Sequence, residues 1–474
     1  MISFLAPDFD WIPRQDSHSP TNISSSLTNR FAGKILLREE IPLENEEFEN
    51  CLSRHLFTEI PPFEKILGQY RCRRCGNKKR SQFGKMPCAR CGKEHPYCRK
   101  CISMGRVLAC QSLYGWSGPA PVWPSVQNAC KWSGELTLYQ QKAADKIAET
   151  MNKGDAELLT WAVCGAGKTE MLFYGIGQSL EAGKRVCLAT PRADVVRELL
   201  PRFRAAFPEI AINGLYGGSE DKAGDGQLIL ATTHQLLRFG RAFDVVIIDE
   251  IDAFPFHIDA SLPFAADRAA KEDAARIYLT ATPRKNHRRL VDAGKLPHVF
   301  VPVRFHGHPL PVPKLHMCFS LKKSLQQNQP PKAFFDWLEK RENPDRQLLI
   351  FTSTIELAAK MEKTLSAYFG EITAVHAADP DRADKVQSFR DKKLSVLITT
   401  TILERGVTFP SVDVVIFDAG HPVFDEAALV QIAGRAGRSP DDPTGEVIFY
   451  HDGKTAAMIG SVQSIKKMNK RAGV

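Results

Sequence analysis

The octapeptide Ala162-Val163-Cys164-Gly165-Ala166-Gly167-Lys168-Thr169 is the clearest stretch whose residue types and spacing could do chemistry. Glycines let backbone N–H groups close around phosphate oxygens, a lysine reaches the β and γ phosphates, and a threonine hydroxyl ligates magnesium. Ala162 stands where the generic phosphate loop has its first glycine. About eighty residues on, Asp249-Glu250-Ile251-Asp252 closes an apolar run. One carboxylate there can hold magnesium opposite Thr169, and the next can position or deprotonate water for attack on a γ-phosphate; these roles fall to Asp249 and Glu250. Near the C-terminus, Gln431-Ile432-Ala433-Gly434-Arg435-Ala436-Gly437-Arg438 puts two arginines three apart on one helix face. Arg435 and Arg438 would offset charge on a transferring phosphoryl group. Lys168, Asp249, Glu250, Arg435 and Arg438 are the expected catalytic set.

Sulfur forms the second constellation. Six of twelve cysteines fall into three C-x2-C pairs, Cys72/Cys75, Cys88/Cys91 and Cys98/Cys101. Two such pairs complete a tetrahedral zinc site, and in a chain without an export signal metal is favoured over disulfide. Spacing alone joins Cys72/Cys75 to Cys88/Cys91; the alternative joins the outer pairs through Cys98/Cys101. With His95 and Cys110 the set could fill a second site, although His95 reads more readily as a surface histidine. The zinc would be structural. The same segment concentrates the charge: Arg71 to Arg106 holds twelve basic residues and one acidic residue, Glu94, against 51 basic and 53 acidic residues elsewhere. A density of +11 in a small module points to a polyanion, with nucleic acid favoured.

These residues need elements to carry them. With 474 residues, 43% hydrophobic and 25% charged, the chain has room for about three domains and excludes a disordered polymer. It shows no membrane-length apolar run and no basic signal-peptide start. Runs such as Val186–Thr190, Leu228–Thr232, Val245–Asp249 and Ile277–Ala281 read as buried parallel strands, as does a second set at Leu348–Thr352, Val396–Thr400, Val414–Asp418 and Glu446–Tyr450. Alternation with helical patterns gives an α/β chain: two parallel-sheet domains in tandem, preceded by a small cysteine-rich zinc-binding module. The expected boundaries are 1–70 for an N-terminal region, 71–115 for the basic zinc module, 116–302 for the first sheet domain and 303–474 for the second. Acidic residues 39–49 carry no metal or nucleotide signal and read as partly helical or as a docking arm.

Taken in order, the motifs from Ala162 to Arg438 resemble those of superfamily 2 helicases over about residues 132–474. That resemblance implies two RecA-like domains with ATP between them. Gln140 in Leu136-Thr137-Leu138-Tyr139-Gln140 would read adenine. Thr190-Pro191-Arg192 and Thr232-Thr233-His234-Gln235 would lie along a nucleic-acid track. Thr280, Thr282 and Thr400 would couple hydrolysis to motion, and Gly406 would complete the nucleotide site with the two arginines. More specifically, Trp161–Met171, Asp249-Glu250-Ile251-Asp252-Ala253-Phe254-Pro255, Thr399–Thr408 and Tyr97-Cys98-Arg99-Lys100-Cys101 are similar to phrases of the ComFA family of late-competence DNA-uptake ATPases. The family's zinc pattern falls on Cys72, Cys75, Cys98 and Cys101. Cys88 and Cys91 depart from it, as part of a second site or as competitors for the first. The resemblance implies a cytoplasmic motor, open to a peripheral position at the inner face of the membrane and to homo-oligomers. It would use ATP, Mg2+ and Zn2+ to drive single-stranded DNA inward, with a competence phosphoribosyltransferase-like protein and a membrane DNA channel as partners. A replication-restart or repair helicase, an RNA-dependent ATPase and a zinc-dependent nucleic-acid scaffold with a regulatory ATP site are the alternatives.

Overall fold

A computed structural model describes residues 9–15, 23–221, 223–403 and 409–473. The chain divides into two compact units. One holds the chain up to Leu136 together with Gln141–Thr160 and Thr169–Val299; the other holds Thr137–Gln140, Trp161–Lys168 and the chain from Phe300 onward.

Eight short strands open the first unit: β1 (Ile35–Leu36), β2 (Phe57–Ile60), β3 (Phe63–Ile66), β4 (Gln69–Cys72), β5 (Phe83–Pro87), β6 (Glu94–Cys98), β7 (Val107–Leu108) and β8 (Leu113–Trp116). They make three small sheets, ordered β1-β8-β2, β3-β4 and β5-β6-β7. Phe31, Phe48, Phe57 and Trp116 interlock around the first of these, with ring centroids 5.2–6.1 Å apart. The acidic stretch is absorbed here. Its helix Asn45–Ser53 buries Phe48 and Cys51, and Glu40 accepts hydrogen bonds from Arg74 and Arg238.

The main sheet follows with β9 (Glu157–Ala162), β10 (Val186–Thr190), β11 (Ile212–Leu215), β12 (Leu228–Thr232), β13 (Phe243–Ile248), β14 (Ala270–Thr280) and β15 (His298–Val301). The order is β11-β12-β10-β13-β14-β9-β15, and every pair from β11 to β14 is parallel. β10 and β12 are buried at every residue, as strands covered on both faces by helices must be. The second unit repeats the plan with β16 (Lys314–Met317), β17 (Gln347–Phe351), β18 (Ile372–Val375), β19 (Val396–Thr399), β20 (Val412–Ile416) and β21 (Val447–His451). Its six strands are all parallel, ordered β16-β21-β20-β17-β19-β18. Both strand sets expected from the sequence are present.

Cys72, Cys75, Cys98 and Cys101 belong to the same buried cluster as Cys187, Val246, Ile248 and Tyr278 of the main sheet. Two arginines stitch this contact. Arg268, fully buried on the helix Ser261–Ala269, donates to the carbonyls of Arg73 (2.9 Å) and Arg74, and Arg74 is itself fully buried. The added Cβ of an alanine at Gly76 would stand 2.6 Å from the Phe264 ring.

Candidate functional site

In a parallel sheet, ligands bind beyond the carboxyl ends of the strands, and those ends carry the expected chemistry here. β13 runs straight into Asp249, whose N–H donates to the Ala189 carbonyl at 2.8 Å. Glu250 turns the chain with φ +56°, a left-handed conformation unusual for a side-chain-bearing residue, and its N–H donates to Asp249 Oδ1 at 2.9 Å. Asp252 is fully buried and accepts the hydroxyls of Thr280 and Thr282, each at 2.5 Å. Thr282 N–H donates to Thr280 Oγ1 at 3.0 Å, and Arg284 donates to the Asp252 carbonyl at 2.9 Å. The loops after β13 and β14 are thereby locked together through one carboxylate. Thr233 and Arg192 are two of the residues expected along a nucleic-acid track. Thr233 is fully buried, leaving His234 as its partly exposed neighbour, and Arg192 is held in a fork by Asp194 at 3.2 and 2.9 Å.

The glycine loop leaves β9 with Gly165 at φ +78° and Gly167 at φ +69°, conformations that favour glycine. Thr169 stands at the start of the helix Glu170–Glu181, whose first amides offer an anion site. Gln140 is buried; its Nε2 donates to the Ala166 carbonyl at 3.0 Å and its Oε1 accepts from Thr137 N–H at 2.8 Å. Its amide therefore braces the loop. Within the same compact unit, Cys164 Sγ donates to Gln431 Oε1 at 3.0 Å. Fully buried Arg304 donates to the carbonyls of Ala436 (2.7 Å) and Gly437, and Phe305 N–H donates to the Gly165 carbonyl at 3.0 Å. Burial, aided by Arg438, depresses the Arg304 guanidinium to about 10. Arg435 is buried, and Arg438 Nε donates to the Gly434 carbonyl at 3.0 Å. Thr400 is half-buried after β19, and Gly406 lies outside the described residues.

The structure brings the outer cysteine pairs together. Cys72, Cys75, Cys98 and Cys101 are all buried with their sulfurs within 4.8 Å of one another. A tetrahedral cation about 2.3 Å from each sulfur sets neighbouring sulfurs roughly 3.8 Å apart. Cys72 and Cys101 are 3.8 Å apart and Cys75 and Cys98 3.6 Å, so the set fits a metal. Hydrogen bonds from Cys101, Cys72 and Cys75 hold the Cys98 thiol far below its usual range. Pairing Cys72/Cys75 with Cys88/Cys91, the alternative that spacing allows, does not occur because the latter sit at the far end of the β5–β6 hairpin. Phe83 pairs with Cys98 at its base and Pro87 with Glu94 near its tip, about 13 Å of strand away. Cys88 and Cys91 group instead with Cys110. The surrounding charge is largely available: Lys78, Lys79, Arg80, Lys85, Arg90, Lys93, Arg99, Lys100 and Arg106 are exposed, whereas Arg74 is sealed in the core and Lys100 also reaches Asp259 at 2.9 Å.

Comparison with known proteins decides the family. Residues 19–115 match the profile of the competence protein ComFA N-terminal domain, 133–285 that of the type III restriction enzyme, res subunit, and 330–440 that of the helicase conserved C-terminal domain. Competence protein ComFA of Bacillus subtilis is 42% identical over 453 residues, 95% of this chain and 97% of that one. This chain belongs to the ComFA family. ComFA of Streptococcus pneumoniae is 39% identical over 433 residues, 91% and 97% of the two chains. ComFA membership and the two helicase domains make the chain a competence-related, superfamily 2 helicase-like ATPase. Solved helicases share its fold. S. cerevisiae Dbp5 bound to RNA and ADP BeF3 has a TM-score of 0.51 at 17% identity over 70% of this chain and 91% of that chain. Mycobacterium smegmatis helicase Lhr bound to ssDNA and AMP-PNP has 0.52 at 16%, over 71% and 50%. Both parallel sheets of this ComFA chain are accordingly RecA-like. Among its described residues no helix is long and apolar enough to cross a membrane.

Sequence reading missed two residues that this ComFA structure places at the centre of its motifs. Asp252 was visible as the last member of an acidic tetrapeptide, but its threonine partners lie about thirty residues on. Arg304 sits in a proline-rich stretch that reads as a linker, and nothing local marks it as buried.

Proposed function

We propose that this chain is an ATP-driven motor on single-stranded DNA that draws transforming DNA into the cytoplasm during natural competence. The observation that carries the reading is 42% identity to a ComFA competence protein along 95% of the chain, which also holds Lys168, Thr169, Asp249, Glu250, Arg435 and Arg438. Gly165 and Gly167 shape the loop whose amides would receive the phosphates of ATP, and Lys168 would neutralise them. Thr169 and Asp249 would hold Mg2+, which supplies charge neutralisation on the β and γ oxygens. Glu250 would take a proton from attacking water, and Arg435 and Arg438 would offset the charge that develops on the phosphoryl group. Zn2+ suits the buried thiols of Cys72, Cys75, Cys98 and Cys101, where its role is structural. The exposed lysines and arginines around them would grip DNA phosphates. The membrane channel and the phosphoribosyltransferase-like competence protein are the partners this reading requires, at the cytoplasmic face of the membrane.

The test is ATP turnover by the purified chain with magnesium, with and without single-stranded DNA, beside Lys168→Ala. Strong stimulation by single strands that disappears in the variant is expected. The logarithm of the DNA affinity should fall linearly with log[salt]. Slow turnover indifferent to DNA would overturn the motor reading, and salt-independent affinity would overturn the electrostatic grip.

A further inference from the structure

The β5–β6 hairpin ends in Cys88-Ala89-Arg90-Cys91-Gly92, and this turn repeats the backbone of the turn that carries Cys72 and Cys75. In the first, Gly76 N–H donates to the Cys72 carbonyl at 2.7 Å and Cys72 N–H to the Asn77 carbonyl at 3.0 Å. In the second, Gly92 N–H donates to the Cys88 carbonyl at 2.8 Å and Cys88 N–H to the Lys93 carbonyl at 2.9 Å. Gly76 and Gly92 take φ +70° and +67°. The same local architecture therefore presents a second pair of sulfurs.

Strand register supplies two further donors. β6 is the middle strand of its sheet; it pairs His95 with Met86 on one side and Tyr97 with Leu108 on the other. Past β7, Ala109 N–H donates to the Pro96 carbonyl at 2.9 Å and Gln111 N–H to the Leu108 carbonyl at 3.1 Å, a turn that carries Cys110. The sulfurs of Cys88, Cys91 and Cys110 lie within 4.8 Å of one another; His95 Nε2, 3.1 Å from Cys91 Sγ, stands at the edge of this group and has to swing inward to meet all three. Three thiolates about 2.3 Å and an imidazole about 2.0 Å from a tetrahedral centre would set sulfur and nitrogen roughly 3.5 Å apart.

We propose that Cys88, Cys91, His95 and Cys110 form a second site for a thiophilic divalent cation, zinc in particular, separate from the four-cysteine site. Three thiolates and one imidazole select zinc over oxygen-seeking magnesium or calcium. The two sites differ in surroundings. The four-cysteine set lies inside the hydrophobic core, whereas Cys91 and Cys110 are exposed at the hairpin tip. The second metal is thus the exchangeable one. It ties the tip, with exposed Arg90 and Lys93, to the segment after β7.

Metal content of the full-length chain, purified with zinc, tests this directly. Two zinc ions per chain are expected, falling to one in Cys88→Ser/Cys110→Ser and staying at two in His95→Cys. Cobalt(II) loading adds a readout independent of activity: His95→Cys should shift the visible bands as an S3N centre becomes S4. Titrating wild-type holoprotein with a chelator should release zinc in two phases, one ion early and one only on denaturation. One zinc in the wild type that Cys88→Ser/Cys110→Ser leaves in place would overturn the proposal. If that variant loses all its metal by misfolding, the wild-type chelator curve decides: two phases support the second site, and a single phase refutes it.

Discussion

Replacing Thr280 by valine keeps the shape of the side chain and deletes one hydroxyl from the clasp on Asp252. That hydroxyl makes two bonds, donating to a buried carboxylate at 2.5 Å and accepting the Thr282 amide at 3.0 Å. A hydrogen bond to a charged partner contributes about 1.5–3 kcal/mol and a neutral one about 1. Thr280→Val should therefore cost roughly 2.5–4 kcal/mol, and Thr282→Val less, because Thr282 is only half-buried. Urea unfolding followed by tryptophan fluorescence reads the loss. Combining Thr280→Val with Asp252→Ala closes a double-mutant cycle, in which the double variant should be more stable than the sum of single effects predicts by at least about 1 kcal/mol. A loss below about 0.5 kcal/mol for Thr280→Val, or additivity within that margin, would show that the clasp does not join the two loops energetically.

Asp413 in β20 is fully buried, accepts from Arg341 at 3.0 and 2.8 Å and receives Glu446 N–H at 2.8 Å; Arg346 lies 3.5 Å away. Asp413→Ala takes the carboxylate from the nearly buried Arg341 guanidinium, while Arg346 keeps Asp442 at 2.6 and 2.8 Å, and should cost about 3–5 kcal/mol in urea unfolding. Gly437 has φ +61°, and an added Cβ would stand 2.2 Å from the Pro443 carbonyl oxygen, so Gly437→Ala should lose about 2–4 kcal/mol and slow ATP turnover by displacing the Arg438 segment. Burial, with Glu157 adding to it and Arg276 opposing, raises the Asp267 carboxyl to about 6. The folded state then binds a proton that the unfolded state has released, so stability contributed here is lost as pH rises from about 4 through 6, by at most about 3 kcal/mol. Asp267→Asn should flatten that slope and gain stability at pH 8 relative to wild type, measured by unfolding at pH 5 and pH 8.

The strands were legible because parallel strands covered on both faces must be continuously apolar, as Val186–Thr190 and Leu228–Thr232 are, and because the chemistry of such sheets sits where those runs stop. The phosphate loop announces itself for the same reason: its glycines, lysine and threonine are all local. What could not be read depends on register and long-range packing. Cys110, named with His95 from composition alone, meets Cys88 and Cys91 only because β7 pairs with β6 at a particular offset. Gln140, expected to meet a base, is engaged with the loop backbone, a contact set by how a helix start abuts a turn 26 residues away. Thr233, which the helicase resemblance sets along a nucleic-acid track, is folded inward by the 3-10 turn Thr233–Arg238.

The buried bond from Arg268 to the carbonyls of Arg73 and Arg74 gives the cysteine-rich segment the standing of a foundation rather than an appendage. A polypeptide started at residue 116 would keep every helicase motif, yet it would expose Phe264, leave the Arg268 guanidinium facing absent carbonyls, and strip one side from a continuous apolar core. Loss of a metal held by the four buried thiols would attack the main sheet from the same side. Thiol oxidation or metal starvation would thus reach the first helicase domain through its interior, without any signal having to pass along the surface.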